Sequence, residues 1–168
     1  MPAHLALGEI YLKQGQEQDA IKSLKRARDM DPGRPEPRMR LAQIYRGKKQ
    51  LNEAIGELEV VLMYRPKNKP VKRMLAMLYA ENGTSLSTAM QYVEEQLEQS
   101  GLDFEMLKVK ARILMHKQRY DEALSLADEA LEVSPDDPEL VELRAKIQDA
   151  RRAAKKSTGS KKRRKKKS

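Results

Sequence analysis

Cysteine and tryptophan are absent from the 168 residues, Phe104 is the only phenylalanine, and aromatics make up 4% of the chain. Without cysteine no disulfide and no thiolate metal site can form, which fits a reducing compartment. The two histidines, His4 and His116, are far apart in sequence, and no His-x-x-x-His pair or Asp-rich cation loop occurs. No Gly-rich phosphate loop and no serine in a nucleophile-elbow context is present either. Asp121-Glu122 and Asp128-Glu129 are paired acids, but adjacent helical residues diverge by about 100°, so neither pair converges on a substrate. The residues that catalysis needs are missing, so the expectation is a non-enzyme with no cofactor and no metal. No run of about 18 apolar residues exists to span a membrane. The opening "MPAHLALGEIYLKQG" lacks a basic leader region and is not read as a secretory signal.

What is present is charge, unevenly spread. Charged residues are 35% of the chain and the net charge is +9. Residues 151–168 alone carry eleven Lys or Arg and no acid, leaving residues 1–150 at a net of −2. Within that body, residues 1–73 hold 16 basic and 9 acidic groups, and residues 74–150 hold 7 and 16. Nine methionines take part of the filling role that aromatics usually play.

An internal repeat organises the apolar residues. Leu7, Gly8, Tyr11, Ala20, Leu24, Ala27 and Pro32 recur 34 residues later as Leu41, Ala42, Tyr45, Ala54, Leu58, Val61 and Pro66. A further step gives Leu75, Ala76 and Tyr79. The phase then slips by one residue, through Ala89, Val93 and Gln96, and returns as Ala111, Leu114, Ala123, Ala127, Ala130 and Pro135. Within each unit the apolar spacing is helical, as in Leu5, Leu7, Ile10 and Leu12 and then Ala20, Ile21, Leu24 and Ala27. The prolines stop the second helix, and the small residues let paired helices approach closely. The tyrosines recur at a core position and are read as packing.

This pattern resembles the tetratricopeptide repeat family, with its Leu-Gly-x-x-Tyr, Ala, large apolar residue and Pro. The resemblance implies an all-α, right-handed solenoid of antiparallel helix pairs, in four units: 2–34, 35–68, 69–102 and 103–135. The tryptophan slot of the family holds His4, Arg38, Lys72 and Leu107, and Lys110 stands where leucine is usual. Residues 136–155 read as a capping helix with one apolar stripe, Leu140, Leu143 and Ile147, and Pro138 near its start. Residues 156–168, with the polybasic Lys161, Lys162, Arg163, Arg164, Lys165, Lys166 and Lys167, cannot bury a core and are expected to be disordered.

In proteins similar to this one the first helix of each pair lines a concave groove. The resemblance therefore implies partner contacts at Leu5, Glu9, Leu12, Lys13, Met39, Gln43, Arg46, Arg73, Met77, Lys108, Arg112 and Met115, with Glu81 and His116 beside them. The chaperone-tail binders of the family clamp a carboxylate with a basic and amide set. The matching positions here are Leu5, Glu9, Arg40, Pro70 and Met74, of which only one is basic, so that function is not expected. The reading is a cytoplasmic, non-catalytic scaffold that binds a protein or peptide. Two alternatives stand beside it: a nucleic-acid or ribosome-associated factor held by the tail, with weak non-specific RNA or polyanion binding, and a homo-oligomer formed through the uncapped N-terminal repeat. In a eukaryote Arg151-Arg152 and Lys161 to Lys167 would also suit nuclear import.

Overall fold

A computed structural model describes the backbone of residues 2–101 and 103–165, with side chains for 3–99, 101 and 103–157. Among the described residues every regular element is an α-helix: α1 (Pro2–Lys13), α2 (Glu17–Met30), α3 (Pro35–Gly47), α4 (Leu51–Tyr64), α5 (Lys69–Asn82), α6 (Leu86–Ser100), α7 (Phe104–His116), α8 (Tyr120–Val133) and α9 (Pro138–Lys165). They form two compact units, residues 1–82 and 83–168. The division falls between α5 and α6, beside the slip in repeat phase. Each unit is a stack of antiparallel helix pairs, the arrangement of an α-solenoid.

In the first unit α1 pairs with α2 and α3 with α4, while α2 packs on α3 and α4 on α5. The turns inside the pairs share one backbone device. The amide of Gln16 donates to the carbonyl of Tyr11 at 2.8 Å, and that of Gln50 to Tyr45 at 2.9 Å. The intervening Gly15 and Lys49 have φ of 72° and 62°. These bonds satisfy carbonyls that the helix end leaves orphaned, at the cost of one left-handed residue. The second helices end at Met30 and Tyr64, two residues before Pro32 and Pro66. A residue that precedes proline is pushed out of the helical region, so Asp31 and Arg65 leave the helix.

The small residues sit where helices touch. Ala20 and Ala54 are fully buried, as are Leu24 and Leu58 beneath them. A Cβ on Gly8 would come within 2.8 Å of Leu24 Cγ, so α1 and α2 approach more closely than any other residue there would allow. A buried charge bridges α2, α3 and α4: the Glu57 carboxylate accepts from Arg28 at 2.7 Å and from Arg38 at 2.5 Å. Leu41 and Leu75 are fully buried, whereas Leu7, at the same repeat position, is 37% exposed and Ile10 49%. Their counterparts on α3 and α5 lie against the preceding second helices α2 and α4.

In the second unit α6 packs on α7, α7 on α8, and α9 on both α8 and α7. Its core joins Ala111, Leu114, Ala123, Ala127, Leu143 and Ile147, with Met90, Met115 and Tyr120 against them. The α7–α8 turn repeats the device above: the amide of Arg119 donates to Leu114 at 2.9 Å, and Gln118 has φ of 61°. Asp103 caps α7 by accepting from the Met106 amide at 3.2 Å. Lys110 replaces the buried leucine of the earlier repeats. It lines a cleft of about 340 Å³ between α6 and α8 with Met90, Glu94, Leu114 and Leu126.

The last helix departs from expectation. The capping helix expected over residues 136–155 runs longer, with a helical backbone from Pro138 through Lys165. Alanine, lysine and arginine propagate a helix well, and a helix already nucleated against α8 extends at little cost per residue. Arg144 pairs with Asp128 and Arg151 with Asp121, which fixes one antiparallel register. In that register α9 passes Tyr120, the first residue of α8, near residue 152. The remaining turns, including Lys161 to Lys165, extend beyond α8; Lys166 and Lys167 lie outside the described residues.

Candidate protein-binding face

In the first unit α3 touches α5, and ion pairs link the neighbours. Arg40 donates to Glu9 at 3.1 Å, joining α3 to α1. Arg46 donates to Glu81 at 2.8 Å, joining α3 to α5, and Lys49 stands 3.5 Å from the same carboxylate. Arg40 also donates to Gln43 at 3.2 Å. Glu9, Gln43 and Arg46 are thus engaged with their own neighbours. Leu5, Leu12, Met39 and Met77 are part-buried on the same helices, Arg73 is part-buried, and Lys13 is exposed. The first-helix face therefore offers flexible apolar side chains whose flanking charges are already paired.

In the second unit the corresponding face lies on α7 and α9. Lys108 does not present its ammonium as a ligand contact. It is only 6% exposed, and Glu105 at 2.5 Å, Glu139 at 3.1 Å and Asp137 at 3.4 Å surround it. Burial disfavours the charged form, but hydrogen bonds and charges from Glu105 and Glu139 more than reverse this and hold its pKa above the ordinary lysine range. Arg112 donates to Glu139 at 3.0 Å. Burial alone would raise the Glu139 pKa, but Lys108 and Arg112 pull it below the usual glutamate range. Asp137 is lowered too, mainly because the Leu140 amide donates to its carboxylate. Lys108 and Arg112 are therefore the rivets between α7 and the capping helix. Met115 is part-buried and His116 exposed, with the His116 ring near Gly83.

Sequence reasoning missed the pairings of Glu9 with Arg40, of Arg46 with Glu81, and of Lys108 with Asp137 and Glu139. A usable signal existed: Glu9–Arg40, Arg46–Glu81 and Lys108–Glu139 are opposite charges spaced about one repeat apart, plus or minus a helical step. Two of the paired acids, Asp121 and Asp128, hold α9 through Arg151 and Arg144. Among the described residues no group of three or more His, Asp or Glu gathers to hold a metal, and no helix is long and apolar enough to cross a membrane.

Known proteins agree with this architecture. The family model for the tetratricopeptide repeat matches residues 11–78 and 85–147. That is most of the chain, and the protein belongs to the tetratricopeptide repeat family. No curated protein matches the sequence. Among solved structures, a tetratricopeptide repeat protein from Parabacteroides merdae is similar with a TM-score of 0.75 at 20% identity, covering 88% of this chain and 57% of that one. MamA protein is similar at 0.71 and 14% identity, covering 92% and 86%. A chain of the APC/C hetero-tetramer Cut9-Hcn1 is similar at 0.67 and 20% identity, covering 86% and 29%. The chain thus spans little more than half of the Parabacteroides protein and under a third of the Cut9-Hcn1 chain. At these identities the likeness shows the fold.

Proposed function

We propose that the protein is a non-catalytic scaffold that binds a peptide or helical segment of a partner along its first-helix face. The observation that carries this is the pairing of charges around Leu5, Leu12, Met39 and Met77. Polar groups that already have partners need not be desolvated afresh, and methionine adapts to ligands of different shape. A face of this kind suits the apolar side of a segment rather than a carboxylate terminus, because Glu9 occupies Arg40. Membership of a repeat family that presents extended binding surfaces supports the reading. One similar structure is itself an assembly, the Cut9-Hcn1 hetero-tetramer.

The test is selection of binding peptides from a displayed library on the full chain, followed by affinity measurement against variants. Met39→Glu with Met77→Glu is expected to weaken the selected peptides at least about 100-fold, as for loss of a binding hot spot. Lys25→Glu, on the exposed side of α2, is expected to leave them unchanged. The reverse pattern would place the site on the second helices and overturn the reading. Glu57 is unsuitable as such a control, because it is buried beneath Arg28 and Arg38.

A second reading, self-association, is favoured by the exposed Ala3, Ala6, Leu7 and Ile10 on one stripe of α1. Light scattering of the full chain and of Leu7→Lys with Ile10→Lys checks it. A dimer that the variant abolishes supports it, and a monomer at all concentrations removes it.

A further inference from the structure

The corner between α4 and α5 breaks several local rules at once. Tyr64, the last residue of α4, is 61% exposed and Met63 is 80% exposed. The turn that follows runs Arg65-Pro66-Lys67-Asn68, closed by the Asn68 amide donating to the Arg65 carbonyl at 3.0 Å. Proline stiffens it and sets Lys67 at its tip. Arg65, Lys67 and Lys69 are exposed, and none forms an ion pair among the described residues. Residues 60–80 contain no acid. The acids on either side are engaged, Glu59 by the Tyr79 hydroxyl at 2.6 Å and Glu81 by Arg46. Among the described residues six helices carry an acid in the first turn, but α5 has none and begins with Lys69. Cationic charge therefore sits on the positive end of the helix dipole, where it is unfavourable unless an anion joins it.

The tyrosine ring is also held in place. Gly33, in the α2–α3 turn, would bring a Cβ within 3.1 Å of Tyr64 Cγ. Its backbone does not lie in the left-handed region, so no turn geometry demands glycine there. What the missing side chain provides is room for the ring to rest against the turn while most of it faces outward. At the equivalent repeat positions stand Met30, Gln99 and Val133, so the ring is peculiar to this corner.

We propose that the α4–α5 corner binds single-stranded nucleic acid, with Tyr64 as a stacking platform for a base and Arg65, Lys67 and Lys69 as phosphate contacts. A seated aromatic ring among unpaired cations is the combination that such strands require: the ring stacks any base, and the cations follow the backbone. An acidic peptide would use the cations and leave the ring idle. The eleven basic residues of 151–168 supply attraction without a ring, so they add affinity but not this signature.

The test is fluorescence anisotropy of a labelled oligouridine with the full chain, across about 50 to 300 mM salt. Lys161 to Lys167 are changed to Gln in every protein, so that the tail does not mask the corner. Tyr64→Ala is expected to weaken binding by about 5- to 100-fold without changing the salt slope, and Tyr64→Trp to restore it. Arg65→Gln, Lys67→Gln and Lys69→Gln together are expected to flatten the logarithmic salt slope by about 2. Melting curves that match the parent confirm that these exposed changes leave the fold intact. The proposal is overturned if the parent does not bind at low salt or if Tyr64→Ala has no effect. It is overturned equally if heparin, which has no bases, shows the same dependence on Tyr64, or if anionic vesicles bind and oligouridine does not.

Discussion

The two units use one repeat differently. In the first, the 34-residue period runs unbroken, and Leu41 and Leu75 fill the same buried position. Its first-helix face is knitted by an exposed pair, Glu9–Arg40, and a part-buried one, Arg46–Glu81. In the second, the phase slips, Lys110 replaces the buried leucine, and the matching face is riveted by a buried lysine. The difference shows how a repeat tolerates decay. The positions of closest helix approach persist in both, with Ala20, Ala54, Ala89 and Ala123 all fully buried. The positions that close one repeat on the next are free to vary once other contacts hold the stack. A capping helix tied through Lys108, Arg144 and Arg151 is one such contact.

The strongest way to break the comparison is to attack what the units share. Ala54→Glu and Ala123→Glu each force an unpaired charge between paired helices, at a cost of several kcal/mol, comparable to the whole stability of a small domain. Thermal circular dichroism should show a large loss of cooperative unfolding for both. A melt unchanged in either would contradict the shared close-approach position.

Next come the two buried charge clusters. Glu57→Ala leaves Arg28 and Arg38 without their common carboxylate, with an expected loss of about 2–4 kcal/mol in urea denaturation. Lys108→Met keeps the buried stem and removes one charge from among three more exposed carboxylates, so the loss should be smaller, about 1–2 kcal/mol. Equal losses would mean that burial does not separate the clusters.

Acid sharpens the contrast. The folded pKa of Glu139 lies below its ordinary 4.5. Its ionised form therefore contributes stability that is complete above that value and is lost as pH falls through the depressed one. Lys108 acts at the other limb, where stability is lost only as pH rises through a value above the ordinary 10.5. The melting temperature should drop from about pH 4.5 downward, less steeply in Glu139→Gln. Parallel curves for parent and variant would remove Glu139 from the seam.

The smallest expected effect concerns the turns. Lys49 and Gln118 occupy the left-handed position that Gly15 fills in the first repeat. Lys49→Gly and Gln118→Gly should each stabilise by about 0.5–1 kcal/mol, read from the denaturation midpoint. A loss would show that their side chains matter more than the backbone strain.

Much of the helix pairing was legible because a periodic core leaves a periodic trace. Tyr and Pro in register, and alanine at the tight crossings, gave the helix pairs and their ends. The faces were less legible, since exposure depends on what covers a residue. Leu7 reads like Leu41, but Leu41 is fully buried where α3 packs on α2, whereas Leu7 is exposed. Lys108 reads like a groove cation, and only its place opposite Asp137 and Glu139 reveals a rivet. Residues 156–165 read as unstructured because they bury nothing, whereas their helical backbone follows from propensity and from the packed turns before them.

Methionines report the central claim most directly, because they stand on both faces: Met39 and Met77 on first helices, Met30 and Met63 on second helices. Methyl-labelled full-length protein is titrated with a library-selected peptide and followed by NMR. Shifts at Met39 and Met77, with Met30 and Met63 unmoved, are the predicted result. Shifts at Met30 and Met63 with Met39 and Met77 unmoved would contradict a first-helix binding face.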